Sequence, residues 1–512
     1  MKKNMILAAA AIFALSACTD NFLTVEHPTE SPLEEYFTTE EHLQEAVIAA
    51  YDPLEWFDWT EEYDPLNILS DVMADQIWVG GSDKSDNQFW HFIMNFEASP
   101  KVTVTGLWSD CYSGVKRCND VLKYIGWVKG LPESTAKLCE AQARVLRVYY
   151  YNILWKFWGN IPYYETNLGG DFTCQQFKAD EVYAKMIADL EGAIALDALP
   201  MYWTGDDLGR VSKAMAYMLY AEITMYQNDA SRLSTALTYM KEIIADTHYD
   251  LLSDYTILFK EEGEWGSETI FDINYKDDNA VRGWAPNNNP RAAGGTILPR
   301  MISPNGWTGD GEHDAGWGFA PVRTETYNMF DAADTRRDAT CWNVGAGNNY
   351  NPRYQDTGIF LEKYVAYKAN NADQVADGDL NFNNNLRIYR YAETLLNAAE
   401  LVVRNYGTGD AAAWLNAVHG RALGGATIEL TLENIKKERA LEFVGEGKRY
   451  WDLVRWELTD DADGIKASTV LVPDTYGYRT NSWTPSKKYI PIPQSEIDSA
   501  EGRTWELTQN AY

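Results

Sequence analysis

The stretch Glu140-Ala-Gln-Ala-Arg-Val-Leu-Arg-Val-Tyr-Tyr-Tyr151, followed by Trp158-Gly-Asn-Ile-Pro162, says most about the fold. Over residues 134–158 the apolar side chains recur at intervals of three and four, which is the spacing of an amphipathic helix. Gly159 follows directly, and glycine is the residue that most often stands just beyond the end of a helix. The pattern therefore predicts a long helix over 134–158 that ends at Gly159.

Similar helical patterns lie on both sides of this stretch. Thr38-Thr39-Glu40-Glu41 has the form of a capping box, and apolar residues from Leu43 to Tyr51 then repeat at helix spacing. The same spacing predicts further helices over 107–125, 180–196, 212–227, 234–246, 386–405, 411–423 and 432–456. We therefore expect a mainly α fold of antiparallel helix pairs packed in series, as in tetratricopeptide repeats, although no clean 34-residue period is present.

Residues 263–385 have a different texture, rich in Gly, Asn, Asp, Pro and Trp, as in Trp284-Ala-Pro-Asn-Asn-Asn-Pro290. Long irregular segments inside a folded body are uncommon unless they carry a function. We therefore expect a large, loop-rich insertion that carries the ligand site. The predicted organisation is a helical scaffold over about 30–260 and 386–460, the irregular region over about 263–385, and a C-terminal tail over 461–512.

The N-terminus has the parts of a secretory signal. Lys2 and Lys3 precede a short apolar run, which ends in Leu15-Ser16-Ala17-Cys18. The run is shorter than the roughly 20 residues that a membrane-spanning helix needs. A cysteine directly after Leu-Ser-Ala is the bacterial lipobox pattern, and the alternative is an ordinary signal peptide with a coincidental cysteine. We expect residues 1–17 to be removed and Cys18 to carry lipid, so that the body 18–512 is tethered to a membrane and faces outward.

Composition excludes several classes of function. A formal charge of -31 opposes binding of DNA, RNA and anionic lipid, and suits a neutral ligand. The six histidines have no metal-binding spacing, and the cysteines other than Cys18 form neither a disulfide framework nor a zinc pattern. Two acidic stretches resemble calcium loops in part. However, Phe382 replaces the required glycine in the first, and Val470 replaces the final glutamate in the second. We therefore expect no metal and no cofactor.

Several segments, taken in order, resemble the SusD/RagB family of outer-membrane nutrient-binding lipoproteins of Bacteroidetes, and the resemblance covers essentially the whole mature chain. Besides the opening stretch, they are Asp20-Asn-Phe-Leu-Thr-Val25, Gly209-Arg-Val-Ser-Lys213, Tyr389-Arg-Tyr-Ala-Glu-Thr-Leu-Leu-Asn-Ala-Ala-Glu400, Glu438-Arg-Ala-Leu-Glu-Phe-Val-Gly-Glu-Gly-Lys-Arg-Tyr-Trp-Asp-Leu-Val-Arg-Trp456, Ile490-Pro-Ile-Pro-Gln-Ser-Glu-Ile-Asp498 and Leu507-Thr-Gln-Asn-Ala-Tyr512.

The resemblance implies about eight core helices in tetratricopeptide-like pairs, with an irregular ligand-binding region inserted between them. It also implies a lipid-anchored protein on the outside of the outer membrane. Such a protein caps a SusC-like TonB-dependent transporter and presents a polysaccharide or oligosaccharide to it. Within the signature segments, Arg439, Glu442 and Arg455 are interpreted as buried ion-pair and capping residues rather than catalytic groups.

Tryptophans in loops are the best candidates for contact with a sugar. The C–H face of a sugar ring packs on a flat indole, while its hydroxyls pair with polar side chains at the edge. Among the 19 Trp residues, those flanked by turn-forming residues are Trp78, Trp284 and Trp307, followed by Trp90 and Trp317. Trp317 lies in Gly-Trp-Gly-Phe, and the alternative is that this segment has a structural role. Asp75, Asp83, Asn87 and Asn287 to Asn289 could supply the edge hydrogen bonds, or they could simply cap turns.

Three functions compete on these observations. A non-catalytic glycan receptor agrees with the loop tryptophans. A glycoside hydrolase needs two carboxylates at a set separation, which cannot be chosen among 75 acidic residues. A peptide receptor of the RagB type would favour charge partners and strand edges over flat indoles. We therefore expect a glycan receptor without enzyme activity, and spaced flat platforms favour a β-linked glycan such as xyloglucan or another β-glucan.

Overall fold

The computed structural model describes residues 32–59, 63–277, 282–284, 291, 294–345, 347, 349–371 and 377–512. The predicted signal peptide 1–17, Cys18 and Asn287 to Asn289 lie outside the described residues. The α-helices are α1 (Leu33–Tyr36), α2 (Glu40–Tyr51), α3 (Leu66–Met73), α4 (Gln88–Met94), α5 (Gly106–Ile125), α6 (Glu133–Trp158), α7 (Ala179–Ala195), α8 (Lys213–Gln227), α9 (Leu233–Ala245), α10 (Leu298–Ile302), α11 (Thr324–Tyr327), α12 (Arg336–Thr340), α13 (Tyr391–Val403), α14 (Ala411–Ala422), α15 (Leu432–Glu442), α16 (Arg449–Trp456), α17 (Ala467–Val470) and α18 (Gln494–Ala500).

Strands are few and short. They are β1 (Ile161–Pro162), β2 (Gln176–Phe177), β3 (Thr269–Ile273), β4 (Cys341–Asn343), β5 (Ile359–Leu361) and β6 (Leu386–Arg390). They form three antiparallel pairs, β1 with β2, β3 with β6 and β4 with β5. Single-turn 3₁₀ helices are Asp52–Trp56, Gly205–Asp207, Tyr255–Ile257, Glu261–Gly263, Glu362–Tyr364, Lys368–Asn371, Gly378–Leu380 and Pro485–Lys487. The prediction of a mainly α fold is confirmed.

The long helices pack in series, each against the next. Helix α2 packs on α5, and the contacts then run through α6, α7, α8 and α9 to α13, which packs on α14 and α15. The predicted long helix is α6, and its C-terminal half is buried on nearly every side, which explains its run of tyrosines. The Tyr150 hydroxyl donates a hydrogen bond to the Ala50 carbonyl at 2.8 Å. Its ring lies on Gly114 of α5, where a Cβ atom would approach the ring to 2.4 Å.

Two predicted helices are wrong in their extent. The segment predicted as one helix over 386–405 begins with strand β6, which pairs with β3 in the register Ile273 to Leu386. The segment predicted as one helix over 432–456 is interrupted between α15 and α16, where Gly445 and Gly447 have φ of 81° and 73°. These left-handed conformations are available to glycine and end α15.

Buried ion pairs join the irregular region to the scaffold. The Glu442 carboxylate, at the end of α15, lies within 3.0 Å of Arg336 from α12, within 3.0 Å of Arg390 from β6 and within 2.6 Å of Arg421 from α14. Burial alone would raise the pKa of Glu442, but the three guanidinium groups outweigh it and hold the pKa well below its ordinary value. We call these four residues the ion-pair cluster.

The interpretation of the signature residues as structural is confirmed. Arg439 pairs with Asp452 at 2.7 Å, and Arg455 pairs with Glu400 at 2.7 Å, with all four side chains buried. Within the described part of the chain, no helix combines the length and the apolar character that crossing a membrane requires.

Candidate functional site

Four aromatic side chains from three separate segments meet at the surface, and we call them the aromatic shelf: Trp59, Tyr63, Trp284 and Trp317. The ring centroids of Trp284 and Trp317 are 6.1 Å apart, and their planes are inclined by 38°. Trp59 meets Trp284 edge-on at 6.0 Å, and Tyr63 meets Trp317 edge-on at 6.0 Å. Trp284 has 43 % of its surface exposed, whereas the other three are partly buried. The shelf therefore offers apolar ring surface to a ligand.

A buried arginine fixes two members of the shelf relative to each other. Arg282 has no exposed surface, and its Nη1 donates to the Asp58 carboxylate at 3.0 Å and to the Gly295 carbonyl at 2.6 Å. Its Nη2 donates to the Glu55 carbonyl. Because Asp58 directly precedes Trp59 and Arg282 lies two residues before Trp284, this single side chain ties the two indoles together. The backbone N–H of Trp284 also donates to Asp377 Oδ2 at 2.7 Å.

Trp317 is held by its backbone and by the glycines on either side. Its N–H donates to the Arg300 carbonyl at 2.9 Å, and the N–H of Gly318 donates to the Ser303 carbonyl at 2.9 Å. A Cβ atom at Gly316 would lie 2.5 Å from the carbonyl oxygens of both Arg300 and Ser303, so a larger residue does not fit there. The Gly-Trp-Gly sequence is therefore required for the close packing that orients the indole.

Charged groups beside the shelf are paired with one another. The Arg300 guanidinium lies 3.0 Å from the Asp314 carboxylate and 2.9 Å from the Asp379 carboxylate. Both carboxylates are partly exposed, so hydroxyl groups of a ligand can reach acceptor oxygens there. Ion pairing limits the negative field near the shelf, which suits a neutral ligand better than a charged one.

A carboxyl group beneath the shelf is perturbed by burial. Desolvation raises the pKa of Glu55 to about 7, against the opposing influence of Arg282 and of a hydrogen bond from the Gly294 N–H. Glu55 is tied to the shelf through Arg282, whose Nη2 donates a hydrogen bond to the Glu55 backbone carbonyl and whose charge opposes the rise in the pKa of the carboxyl group. The group titrates near neutral pH in the folded protein.

Two of the predicted platforms are buried. Trp90 has 0 % of its surface exposed, and Trp78 has 2 %. The Arg323 guanidinium covers one face of Trp78 at 3.5 Å from the ring centroid, whereas Trp90 packs against Phe89 and Phe319. Both indoles are thus packed inside the protein rather than displayed on a surface loop, and neither belongs to the shelf.

Two of the three polar residues predicted around Trp78 have structural partners. Asp75 pairs with Arg449 at 2.9 Å; burial alone would raise the pKa of Asp75, but Arg449 outweighs it and lowers the pKa. Asp83 Oδ1 accepts from the N–H and the hydroxyl of Ser85 and so closes a turn. Asn87 lies before α4 with φ of 47° and makes no cap hydrogen bond through its side chain. None of these three residues belongs to the shelf, and their predicted contact with a sugar stays a prediction.

Trp307 belongs to a second aromatic group. Its ring lies 4.7 Å from that of Trp342, on which the His313 ring stacks at 4.0 Å. Tyr367 contacts the other side of His313 at 4.5 Å. These rings pack against a small core of their own, formed by Tyr350, Phe360 and Val365. The structure therefore brings Trp284 and Trp317 together and leaves Trp307 apart from them.

Two shelf residues, Trp59 and Tyr63, were not predicted. The segment Glu55-Trp-Phe-Asp-Trp59 is dense in aromatic residues. It comes directly after a helical pattern and falls within the predicted scaffold over about 30–260. Tyr63 has φ of 55°, an uncommon conformation for a bulky residue. Aromatic residues clustered just beyond a predicted helix are the available signal, but Arg282, which holds the backbone and carboxylate just before Trp59, is more than 200 residues away in the chain.

Comparison with known proteins gives the family. The model of the SusD family matches residues 212–512, and a second family model, described as starch-binding and associating with the outer membrane, matches residues 21–225. Surface glycan-binding protein A from Bacteroides thetaiotaomicron, solved in complex with laminarihexaose, is 57 % identical with a TM-score of 0.87. That alignment covers 93 % of this chain and 100 % of the other.

Two further solved structures are similar over most of the chain. Surface glycan-binding protein A from Bacteroides uniformis is 50 % identical, with a TM-score of 0.84 and coverage of 93 % of this chain and 100 % of the other. A laminarin-binding SusD-like protein is 26 % identical, with a TM-score of 0.81 and coverage of 92 % and 99 %. These relatives are described as binding proteins, and they agree with the prediction of a glycan receptor rather than an enzyme.

Proposed function

Because the chain belongs to the SusD family, we propose that it binds a neutral β-glucan on the aromatic shelf and delivers it to a SusC-like TonB-dependent transporter. The observation that carries the proposal is the pairing of Trp284 and Trp317, two indoles 6.1 Å apart beside a partly exposed group of carboxylates. Sugar C–H faces would pack on the indoles, and sugar hydroxyls would reach Arg300, Asp314 and Asp379.

The shape of the shelf favours a curved glycan. A β-1,4-linked chain of glucose is straight and suits coplanar platforms, whereas a β-1,3-linked chain turns at each residue. The planes of Trp284 and Trp317 are inclined by 38°, so successive sugars stacked on them must also turn. Two relatives are described with laminarihexaose or laminarin, which are β-1,3-glucans. Within the β-linked class expected from the sequence, these observations support β-1,3-glucan over xyloglucan.

Delivery at the cell surface is the second part of the proposal. The lipobox sequence before Cys18 and the family model described as associating with the outer membrane both support a lipid anchor on the outer face. If this part of the proposal holds, Cys18→Ala will release the protein from the outer membrane without changing its affinity for glucan. Membrane fractionation and glucan titration of the same variant separate the two properties.

Titration of the mature chain with laminarihexaose, mixed-linkage glucan, xyloglucan, starch and pectin tests the ligand. We expect the highest affinity for laminarihexaose. Trp284→Ala should weaken it by about 5–150-fold, which corresponds to the roughly 1–3 kcal/mol measured for stacking on an aromatic side chain in nucleic acid complexes.

Trp505→Ala is the matched control, since Trp505 is exposed to a similar extent, 45 %, and lines a different cavity whose lining includes no shelf residue. Equal loss of affinity in Trp284→Ala and Trp505→Ala would contradict a site on the shelf. Binding of none of the five glycans would contradict the proposed ligand class.

A further inference from the structure

An aromatic cavity separate from the shelf is lined in part by Thr324, seven residues after Trp317 in the chain. Its volume is about 340 Å³, within the range of small-molecule sites. We call it the tyrosine pocket, and its lining residues are Trp78, Tyr350, Asp356, Thr357, Tyr476 and Tyr478. None of them belongs to the aromatic shelf.

The two tyrosines that form one wall are held by a rigid loop. Asp474 Oδ1 accepts from the N–H of Tyr476 at 2.7 Å and from that of Tyr478 at 3.2 Å, and Asp474 Oδ2 accepts from the N–H of Arg479. The Arg479 side chain is 1 % exposed and donates to the carbonyls of Met94 at 2.9 Å and Met73 at 2.9 Å. The loop is thus fixed before any ligand arrives, which lowers the entropy lost on binding.

The rings of the pocket have defined orientations. Tyr476 and Tyr478 lie nearly parallel, with centroids 5.9 Å apart and planes inclined by 12°. Both meet Trp78 edge-on, at 5.8 Å and 5.1 Å. Tyr476 has 54 % of its surface exposed. Tyr476 therefore offers ring surface to solvent at the mouth of a cavity with an indole at its base.

Polar groups face the rings across the cavity. Asp356 Oδ2 accepts from the Tyr350 hydroxyl at 3.0 Å, and the Thr357 hydroxyl donates to the Val322 carbonyl at 2.7 Å. A carboxylate and hydroxyl groups facing aromatic rings are the features that recognise a neutral hexose. An anionic ligand would be repelled by Asp356 and by Glu325, which accepts from the Tyr476 hydroxyl at 2.9 Å.

We infer that the tyrosine pocket is a second carbohydrate site, which binds a neutral hexose unit of the same glucan as the shelf. The inference rests on the proposed function, because it takes the glucan as the ligand. Trp317 and Thr324, which also lines the pocket, are seven residues apart in the chain. The Cα atoms of these two residues are thus at most about 25 Å apart. When one polysaccharide is bound at the first site, its remaining sugar units are held at a high effective concentration near the second site. A polysaccharide that reaches both sites would therefore bind more tightly than at either site alone.

The test uses the mature chain with both shelf indoles removed, Trp284→Ala/Trp317→Ala, and laminarihexaose as the probe. Saturation-transfer NMR should detect residual binding in this double variant. Adding Tyr476→Ala should lower the residual transfer at least fivefold, whereas adding Tyr476→Phe should retain it because the ring is kept. Tyr202→Ala, at another partly exposed tyrosine, is the matched control and should leave the residual transfer unchanged. Each variant is first compared with the parent by thermal unfolding.

The outcomes distinguish this inference from the proposed function. Binding by the wild-type chain together with no residual transfer in the double variant would overturn the tyrosine pocket alone. Residual transfer that Tyr476→Ala leaves unchanged would overturn it as well. A wild-type chain that gives no transfer from laminarihexaose would contradict the proposed ligand and the second site together.

Discussion

The helical scaffold and the irregular region satisfy their buried polar groups in different ways. In the scaffold, backbone groups pair within helices, and buried charges pair with one another, as Glu442 does with three arginines. In the irregular region and the C-terminal tail, arginine side chains also supply donors to isolated backbone carbonyls, as Arg282 does for Gly295 and Arg479 does for Met73. The buried ion pairs stabilise a fold shared by a family. The hydrogen bonds from arginine to backbone carbonyls fix loops, whose aromatic residues can differ between proteins that bind different ligands.

The largest effect is expected in the scaffold. Glu442→Ala leaves three buried guanidinium groups without their shared carboxylate, and loss of one member of a buried ion pair costs about 3–5 kcal/mol. Urea unfolding followed by circular dichroism measures the change. Glu433→Ala in the same helix is the control, because Glu433 forms only an exposed pair with Lys437 and should cost less than about 0.5 kcal/mol. Equal destabilisation by both substitutions would contradict the role of the ion-pair cluster.

A smaller loss of stability, combined with a loss of binding, is expected from Arg282→Met. This substitution removes the hydrogen-bond donors to the Asp58 carboxylate and to two backbone carbonyls. It thereby removes the link between the segments that carry Trp284 and Trp59. We expect a loss of about 3 kcal/mol in unfolding free energy and a loss of affinity for laminarihexaose. Arg337→Ala removes a partly exposed ion pair between Arg337 and Asp338 and serves as the control. If Arg282→Met kept full affinity, the shelf would not depend on this anchor.

Tyr63→Ala should change binding without a comparable change in stability. Tyr63 meets both Trp284 and Trp317 edge-on, and it is only partly buried. We expect the free energy of binding to laminarihexaose to become less favourable by about 1 kcal/mol, the usual contribution of an aromatic pair. Calorimetric titration and thermal unfolding of the same sample measure the two effects. A loss of several kcal/mol in stability would assign Tyr63 to the core rather than to the ligand site.

The last expected effect is a change in how stability depends on pH. Burial raises the pKa of Asp71 to about 7, whereas the unfolded carboxyl ionises near pH 4. Between these values the folded state holds more protons than the unfolded state, so this group makes stability fall as pH rises from about 4 to 7. Asp71→Asn cannot ionise and should flatten that decline. Urea midpoints at pH 4.5, 6 and 7.5 provide the comparison; an unchanged slope would contradict the assignment.

The sequence predicts the scaffold well because each helix carries its own periodic pattern. The start of α2 is an example, since Thr39 accepts a hydrogen bond from the N–H of His42 and so caps the helix one residue later than the predicted box of Thr38 to Glu41. Errors occur where distant partners decide the structure: β6 is a strand because β3 lies beside it. Two left-handed glycines, Gly445 and Gly447, separate α15 from α16.

The site is harder to predict, because loop tryptophans have no local pattern that fixes their neighbours. Trp284 and Trp317 were both candidates, and the structure brings them together. Trp78 and Trp90 are candidates on the same kind of evidence, yet Trp90 lies in α4, and both are buried by segments far away in the chain, such as Phe319 against Trp90. The identity of flanking residues therefore suggests which tryptophans lie in loops, but it does not reveal which of them share a surface.

A crystal structure of the mature chain with laminarihexaose tests the central claim most directly. We predict sugar rings packed on Trp284 and Trp317, with hydroxyl groups within hydrogen-bonding distance of the Arg300, Asp314 and Asp379 group. An ordered hexasaccharide that lies elsewhere on the protein, with no sugar on either indole, would contradict the assignment of the aromatic shelf as the glucan-binding site.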